Sequence, residues 1–151
     1  MGQISDADRE TIQNLFAESL TGDVEIVMFT ERESLIIIPG KEPCEMCAQT
    51  QELLEEVASL SEKVTLTVHE LSSAREQAFA LGISRVPAFV FEGAARGRVR
   101  FFGIPSGYEF SALIGDLIDT STGTTDLSAE TRDFLSTLTE DINIKVFTTP
   151  T

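Results

Sequence analysis

Cys44-Glu45-Met46-Cys47, with the helical pattern that runs on from it to about Leu60, decides the fold of this chain. These are its only two cysteines. Two intervening residues at the start of a helix bring both sulfurs to one face about one turn apart, within reach of a mutual bond. Unpaired N–H groups and the helix dipole at that position favour a thiolate at Cys44, with Cys47 one turn deeper. An exposed, ionisable sulfur beside a partner sulfur is what thiol–disulfide exchange requires. Leu53, Leu54, Val57 and Leu60 form the apolar stripe of the helix behind it.

The chain on either side alternates strand and helix. Ser5-Asp6-Ala7-Asp8 approximates a capping box, and Ile12, Leu15, Phe16 and Leu20 follow at helical spacing, so a helix is predicted from about Asp6 to Leu20. Val24 to Phe29 reads as a buried strand. Glu31 to Glu42 reads as a strand extension and loop, with the aliphatic run Leu35-Ile36-Ile37-Ile38 and a Pro39-Gly40 turn. Val64 to His69 alternates like a strand with one apolar face. Ser73-Ala74-Arg75-Glu76 predicts a second capping box, opening a short helix that Gly82 ends. Ala88 to Phe91 and Arg98 to Phe102 predict a hairpin. Ser106-Gly107-Tyr108-Glu109 predicts a third capping box, for an amphipathic helix ending near Thr120. The order is a helix, then βαβ, α, a β-hairpin and α. With the dithiol on the first strand-to-helix turn, this fits a thioredoxin-like α/β fold. Beyond it, Ser121 to Thr125 reads as a linker, Ala129 to Leu138 as a short helix capped by Ser128, and Ile142 to Phe147 as one more strand.

A second marker is Val86-Pro87. A strand that starts Arg85-Val86-Pro87-Ala88 is unusual, because proline donates no ladder hydrogen bond. The position, 40 residues past Cys47 and after a helix, a strand and a helix, is where thioredoxin-like proteins place a cis-proline opposite the dithiol. The backbone of Val86 is then expected to pair with an extended substrate segment. Gly103, where the fourth strand ends, would let a substrate backbone approach closely. The competing readings are a plain strand boundary and a plain turn glycine. His69, on the strand face of Thr65 and Thr67, reads as a surface or sheet-end histidine. Phe89, Phe91, Phe101, Phe102 and Phe110 read as core.

Composition narrows the function. With 151 residues, 42% of them hydrophobic, the chain is long enough for one domain with its own core. No apolar run approaches the ~18 residues of a membrane span, and no signal core precedes Asp6, so a soluble, cytoplasmic protein without a membrane role is expected. The balance of 25 acidic against 11 basic residues, a net −14, argues against nucleic acid as a partner. Lys41, Lys63 and Lys145 are the only lysines. Such an acidic, lysine-poor surface resembles that of proteins from salt-loving cells; an ordinary acidic soluble protein is the alternative.

With these residues in hand, the chain resembles the glutaredoxin-like protein disulfide oxidoreductases of archaea and bacteria. The resemblance lies at Met1 to Asp8, at Cys44 to Glu56, at Ile83 to Ala88 and at Phe101 to Phe110, with Glu33 to Lys41 looking like an insertion. Members of that family carry two thioredoxin-fold units in tandem, each with a CxxC. The resemblance therefore implies a redox unit over residues 1–120, and over 121–151 the linker, helix and first strand of a second unit, broken off where a Thr-Pro-Thr turn should lead into a second CxxC. It implies that Cys44 attacks a substrate disulfide, that Cys47 resolves the mixed disulfide, and that Val86, Pro87 and Gly103 shape the substrate groove. No cofactor is implied. The expected partners are protein disulfide or dithiol substrates and a reductase that supplies electrons. A homodimer through the C-terminal extension is a further expectation. Two alternatives stand beside this reading: a redox-inert binding or assembly module, and a domain that holds a metal or iron–sulfur cluster between two chains.

Overall fold

The computed structural model describes residues 2–32 and 43–148. The expected insertion at Glu33 to Lys41 and the Thr-Pro-Thr turn fall wholly or partly outside these residues. Four strands form one sheet in the order β2-β1-β3-β4. The central strand β1 (Val24–Thr30) is apolar on both faces because both are covered. Val24, Ile26 and Met28 face a cluster built with α1 (Asp6–Ser19), α2 (Cys47–Ala58) and α4 (Tyr108–Thr122). Val27 and Phe29 face a smaller cluster built with α3 (Arg75–Ala80). β2 (Val64–Glu70) runs parallel to β1, with Val24 opposite Val64 and Thr30 opposite Glu70. β3 (Ala88–Glu92) runs antiparallel to β1, with Phe29 opposite Ala88, and β4 (Arg100–Phe102) closes the other edge against β3. This is the thioredoxin-like order predicted from the sequence, with its extra N-terminal helix. The stacked rings of Phe89 and Phe101, 5.2 Å apart, belong to the core as expected.

The helix ends are where the chain departs from expectation. Ser5 caps α1, accepting from Asp8 N at 3.2 Å. The capping boxes predicted at Ser73 and Ser106 do not form. The N-caps are Ala74 and Gly107, neither with a side-chain cap bond. Ser73 Oγ instead donates back to Glu70 O at 3.1 Å, and Glu109 N donates to Ser106 O. Backbone turns satisfied these helix starts before the side chains were needed. Gly82 does end α3. With φ +73° it lets Gly82 N reach Phe79 O and Ile83 N reach Ala78 O, the paired bonds of a Schellman motif.

Two corrections concern the C-terminal part. The predicted linker at Ser121 is instead the last turn of α4, which runs to Thr122. Ser121 is buried; its Oγ accepts from Thr21 N and Gly22 N at 3.0 and 2.9 Å and donates to Gly22 O at 2.7 Å. Ahead of the tail, α5 (Ala129–Ser136) forms as predicted, with Ser128 Oγ accepting from Thr131 N. The strand predicted at Ile142 to Phe147 does not form, and every residue from 141 to 148 is exposed. Yet Leu138-Thr139-Glu140-Asp141-Ile142-Asn143-Ile144-Lys145-Val146-Phe147-Thr148 repeats Leu20-Thr21-Gly22-Asp23-Val24-Glu25-Ile26-Val27-Met28-Phe29-Thr30 with six identities. The physical reason for the different outcome is pairing. Val24 to Thr30 has β2 and β3 on its flanks, whereas no strand flanks Ile142 to Phe147 among the described residues. A lone strand is not stable in water.

Candidate functional site

The cysteines lie where β1 hands over to α2. The helix was predicted from Cys44; it starts at Cys47, and Cys44 to Met46 form a turn closed by Cys47 N donating to Cys44 O at 3.3 Å. That turn brings the Cα atoms to 5.4 Å, and the two sulfurs are bonded at 2.04 Å. Their environments differ. Cys44 is half-buried, whereas Cys47 is 4% exposed and set into the sheet side of α2. Met46, the N-cap of α2, is exposed, and no acidic side chain stands in the first helical turn.

Sheet register brings the other expected residues to the same end. Phe29 pairs with Ala88, and Ala88 pairs with Phe102. The residues just beyond these pairs are Thr30, Pro87 and Gly103, in a row at the carboxyl end of β1, where α/β folds place their ligands. The Val86–Pro87 peptide is cis, as the sequence context implies. Pro87 O accepts from Gly103 N at 2.9 Å, while no hydrogen bond between backbone groups involves Val86 among the described residues. Gly103 has φ +111° and open space where a side chain would stand. Any other residue there would be strained and would fill that space.

Beside the disulfide lies a cavity of about 460 Å³ lined by Thr30, Glu31, Arg32, Gln51 and Glu70 as well as both cysteines. Arg32 Nε stands 2.6 Å from Glu70 Oε1, although Arg32 is 88% exposed. That oxygen is itself buried, and no donor is aligned on it for a hydrogen bond among the described residues. The contact is therefore a charge pairing rather than a directed bond, and the exposure of Arg32 keeps it weak. Glu31 accepts from Ser72 N at 3.2 Å, tying the β1 exit to the loop after β2. These charged residues were not singled out from the sequence. Their signal was positional: Thr30 and Glu70 are paired ends of adjacent parallel strands.

His69 lies away from this chemistry. Its ring packs 5.6 Å from Phe29 and its Nε2 stands 3.2 Å from Gln77 Nε2, a half-buried sheet histidine. No group of three or more His, Cys, Asp or Glu converges among the described residues. No described helix is long and apolar enough to cross a membrane.

Neither a family model nor a curated protein matches the chain. Solved structures do. The alkylhydroperoxide reductase protein AhpF of Enterococcus faecalis matches with a TM-score of 0.74 and 25% identity over 89% of this chain. A protein disulfide oxidoreductase from Aeropyrum pernix matches with a TM-score of 0.71 and 25% identity, also over 89%. This chain spans only 61% and 55% of the length of those two chains. The fold is thioredoxin-like, with a CxxC disulfide where β1 hands over to α2, and a protein disulfide oxidoreductase stands among its structural neighbours, as the sequence resemblance implied.

Proposed function

We propose that this protein exchanges disulfides with protein substrates through Cys44 and Cys47. The observation that carries the reading is the asymmetry of the bonded pair: Cys44 is partly open to solvent and Cys47 is buried. An incoming sulfur can reach only the first.

In the reduced protein the Cys44 thiolate attacks one sulfur of a substrate disulfide. The substrate S–S bond breaks, its other sulfur leaves as a thiol after taking a proton, and a mixed disulfide forms. The Cys47 thiolate then attacks Cys44 Sγ, releasing the second substrate thiol and leaving the Cys44–Cys47 disulfide. Two electrons pass to substrate, and a reductase must return two. Val86, which makes no backbone–backbone hydrogen bond among the described residues, takes an extended substrate segment in strand-like pairing, and Pro87 and Gly103 form the walls of that groove. Residues from about Thr124 onward open a second unit of the same kind. Docking of the tail on a second copy is the competing arrangement, and the dependence of mass on concentration distinguishes the two.

Reduction of insulin by dithiothreitol tests the reading. The protein should accelerate it, Cys44→Ser should abolish the acceleration, and Cys47→Ser should accumulate mixed disulfides on a non-reducing gel. An inert wild type overturns it in favour of a binding module, and iron or zinc bound at one per two chains favours a bridged cluster.

A further inference from the structure

The positive charge of this acidic chain is concentrated. Five of its 11 basic residues, but only two of its 25 acidic ones, fall between Arg75 and Arg100. Three of the five converge beside the proposed groove. Arg98 and Arg100 are two apart, so they share one face of the β4 approach, and that face meets the end of α3. Arg100 Nε donates to Leu81 O at 2.5 Å and Arg98 Nη1 to Ala80 O at 3.4 Å. Phe102, next on the same face, carries the guanidinium of Arg85 at 5.0 Å from its ring centroid. Arg85 directly precedes Val86, and Phe102 directly precedes Gly103. The row thus runs along an edge strand and ends at the groove.

All three arginines are exposed. Neither described ion pair, Arg9–Glu56 or Arg32–Glu70, involves them. Capping of α3 does not exhaust them, since each guanidinium has five N–H donors and Arg98 and Arg100 each spend one on a carbonyl. Arg85 spends none there and is held by ring stacking. Beyond Arg85, Ser84 and Ile83 border a further groove of about 520 Å³, lined also by Arg75, Glu31 and the 86% exposed Phe79. The charges of Arg75 and Glu31 offset, so the positive strip is the arginine row itself. This cationic strip on an otherwise anionic protein has the chemistry of a landing surface.

We propose that Arg85, Arg98 and Arg100 receive an acidic segment of the partner protein, flanking the cysteine that Cys44 attacks. The inference rests on the exchange reading above. Its direction opposes what net charge predicts. At −14 the whole molecule repels anionic peptides and attracts cationic ones, so a preference for acidic flanks has to come from a local surface.

The test uses pre-reduced protein and three fluorescence-quenched peptide disulfides, identical except for Glu, Ser or Lys flanks. At about 50 mM ionic strength the Glu-flanked peptide should be reduced about three- to tenfold faster than the Lys-flanked one, the size expected of a few exposed charge pairs. The ratio should collapse at about 0.5 M salt, where screening is nearly complete. R98Q/R100Q should lower the ratio towards one, and R98K/R100K should keep most of it. Should loss of the α3 carbonyl bonds unfold the first variant, R85Q makes the same test without touching them. Equal rates for all peptides, or a faster Lys-flanked peptide, overturn the docking surface and leave exchange chemistry standing. Failure to reduce any peptide overturns both.

Discussion

Leu20 to Thr30 and Leu138 to Thr148 carry one pattern and meet opposite fates. In the first, with the helix before it, Phe16, Val24, Ile26 and Phe29 are at most 1% exposed; in the second, the matching Phe134, Ile142, Ile144 and Phe147 are between 61% and 91% exposed. Local sequence is therefore not what makes β1 a strand. The neighbours β2 and β3, and helices on both faces, supply the burial that offsets the entropy of ordering it. The two copies differ most where both faces matter. Val27, on the α3 side of the sheet, is matched by Lys145.

Substitution at matched positions breaks this comparison most sharply. Phe16→Ala should cost about 3–5 kcal/mol in chemical denaturation, whereas Phe134→Ala should change stability by less than about 0.5 kcal/mol. A comparable loss at Phe134 would mean that the tail is packed in solution. Next in size is Ser121, which stitches α4 to the turn entering β1. Ser121→Ala should cost about 2 kcal/mol, because Thr21 N and Gly22 N lose their acceptor inside the fold. The matched control is the α5 cap: Ser128→Ala should leave the global unfolding midpoint in place.

A smaller effect concerns the anchoring of α1, which has no counterpart at α5 among the described residues. Burial pushes the Glu56 carboxyl up, but hydrogen bonds from Gln3 N and Ile4 N and the Arg9 guanidinium outweigh it, and the net shift is downward. A carboxyl held below its ordinary value adds stability above that value, lost as pH falls through the folded one. Glu56→Gln should thus cost about 1 kcal/mol at neutral pH, and the gap to wild type should close as acid titrates the group. Smallest is Asp116 on α4. Burial, and then the nearby Asp119 charge, push its carboxyl up. A raised carboxyl adds stability at low pH that is lost as pH rises, so Asp116→Asn should stabilise by a few tenths of a kcal/mol at pH 7. The gain should vanish in acid, when both side chains are neutral; a gain that persists there would point to packing instead.

The sequence carried the centre of the molecule better than its joints. The spacing of Cys44 and Cys47, the apolar run of β1 and the position of Pro87, whose competing reading was a plain strand boundary, together pointed to the order of helices and strands that the structure has. Three joints were read less well. Ser73 and Ser106 have the residue types of capping boxes, but a cap depends on backbone direction that only the tertiary path sets. Ser121 looks like linker because a serine that accepts two N–H groups from residues 100 and 99 positions earlier leaves no local trace. The row of Arg85, Arg98 and Arg100 was visible as composition, but its convergence needed the register of β4 against α3.

The bonds from Ser121 to Thr21 and Gly22 have a consequence for how such a chain can grow. The polypeptide leaves the unit beside the place where it first turns into the sheet. Residues added beyond Gly123 therefore need not pass through the sheet, and the repeated pattern at Leu138 to Thr148 lies in that part of the chain.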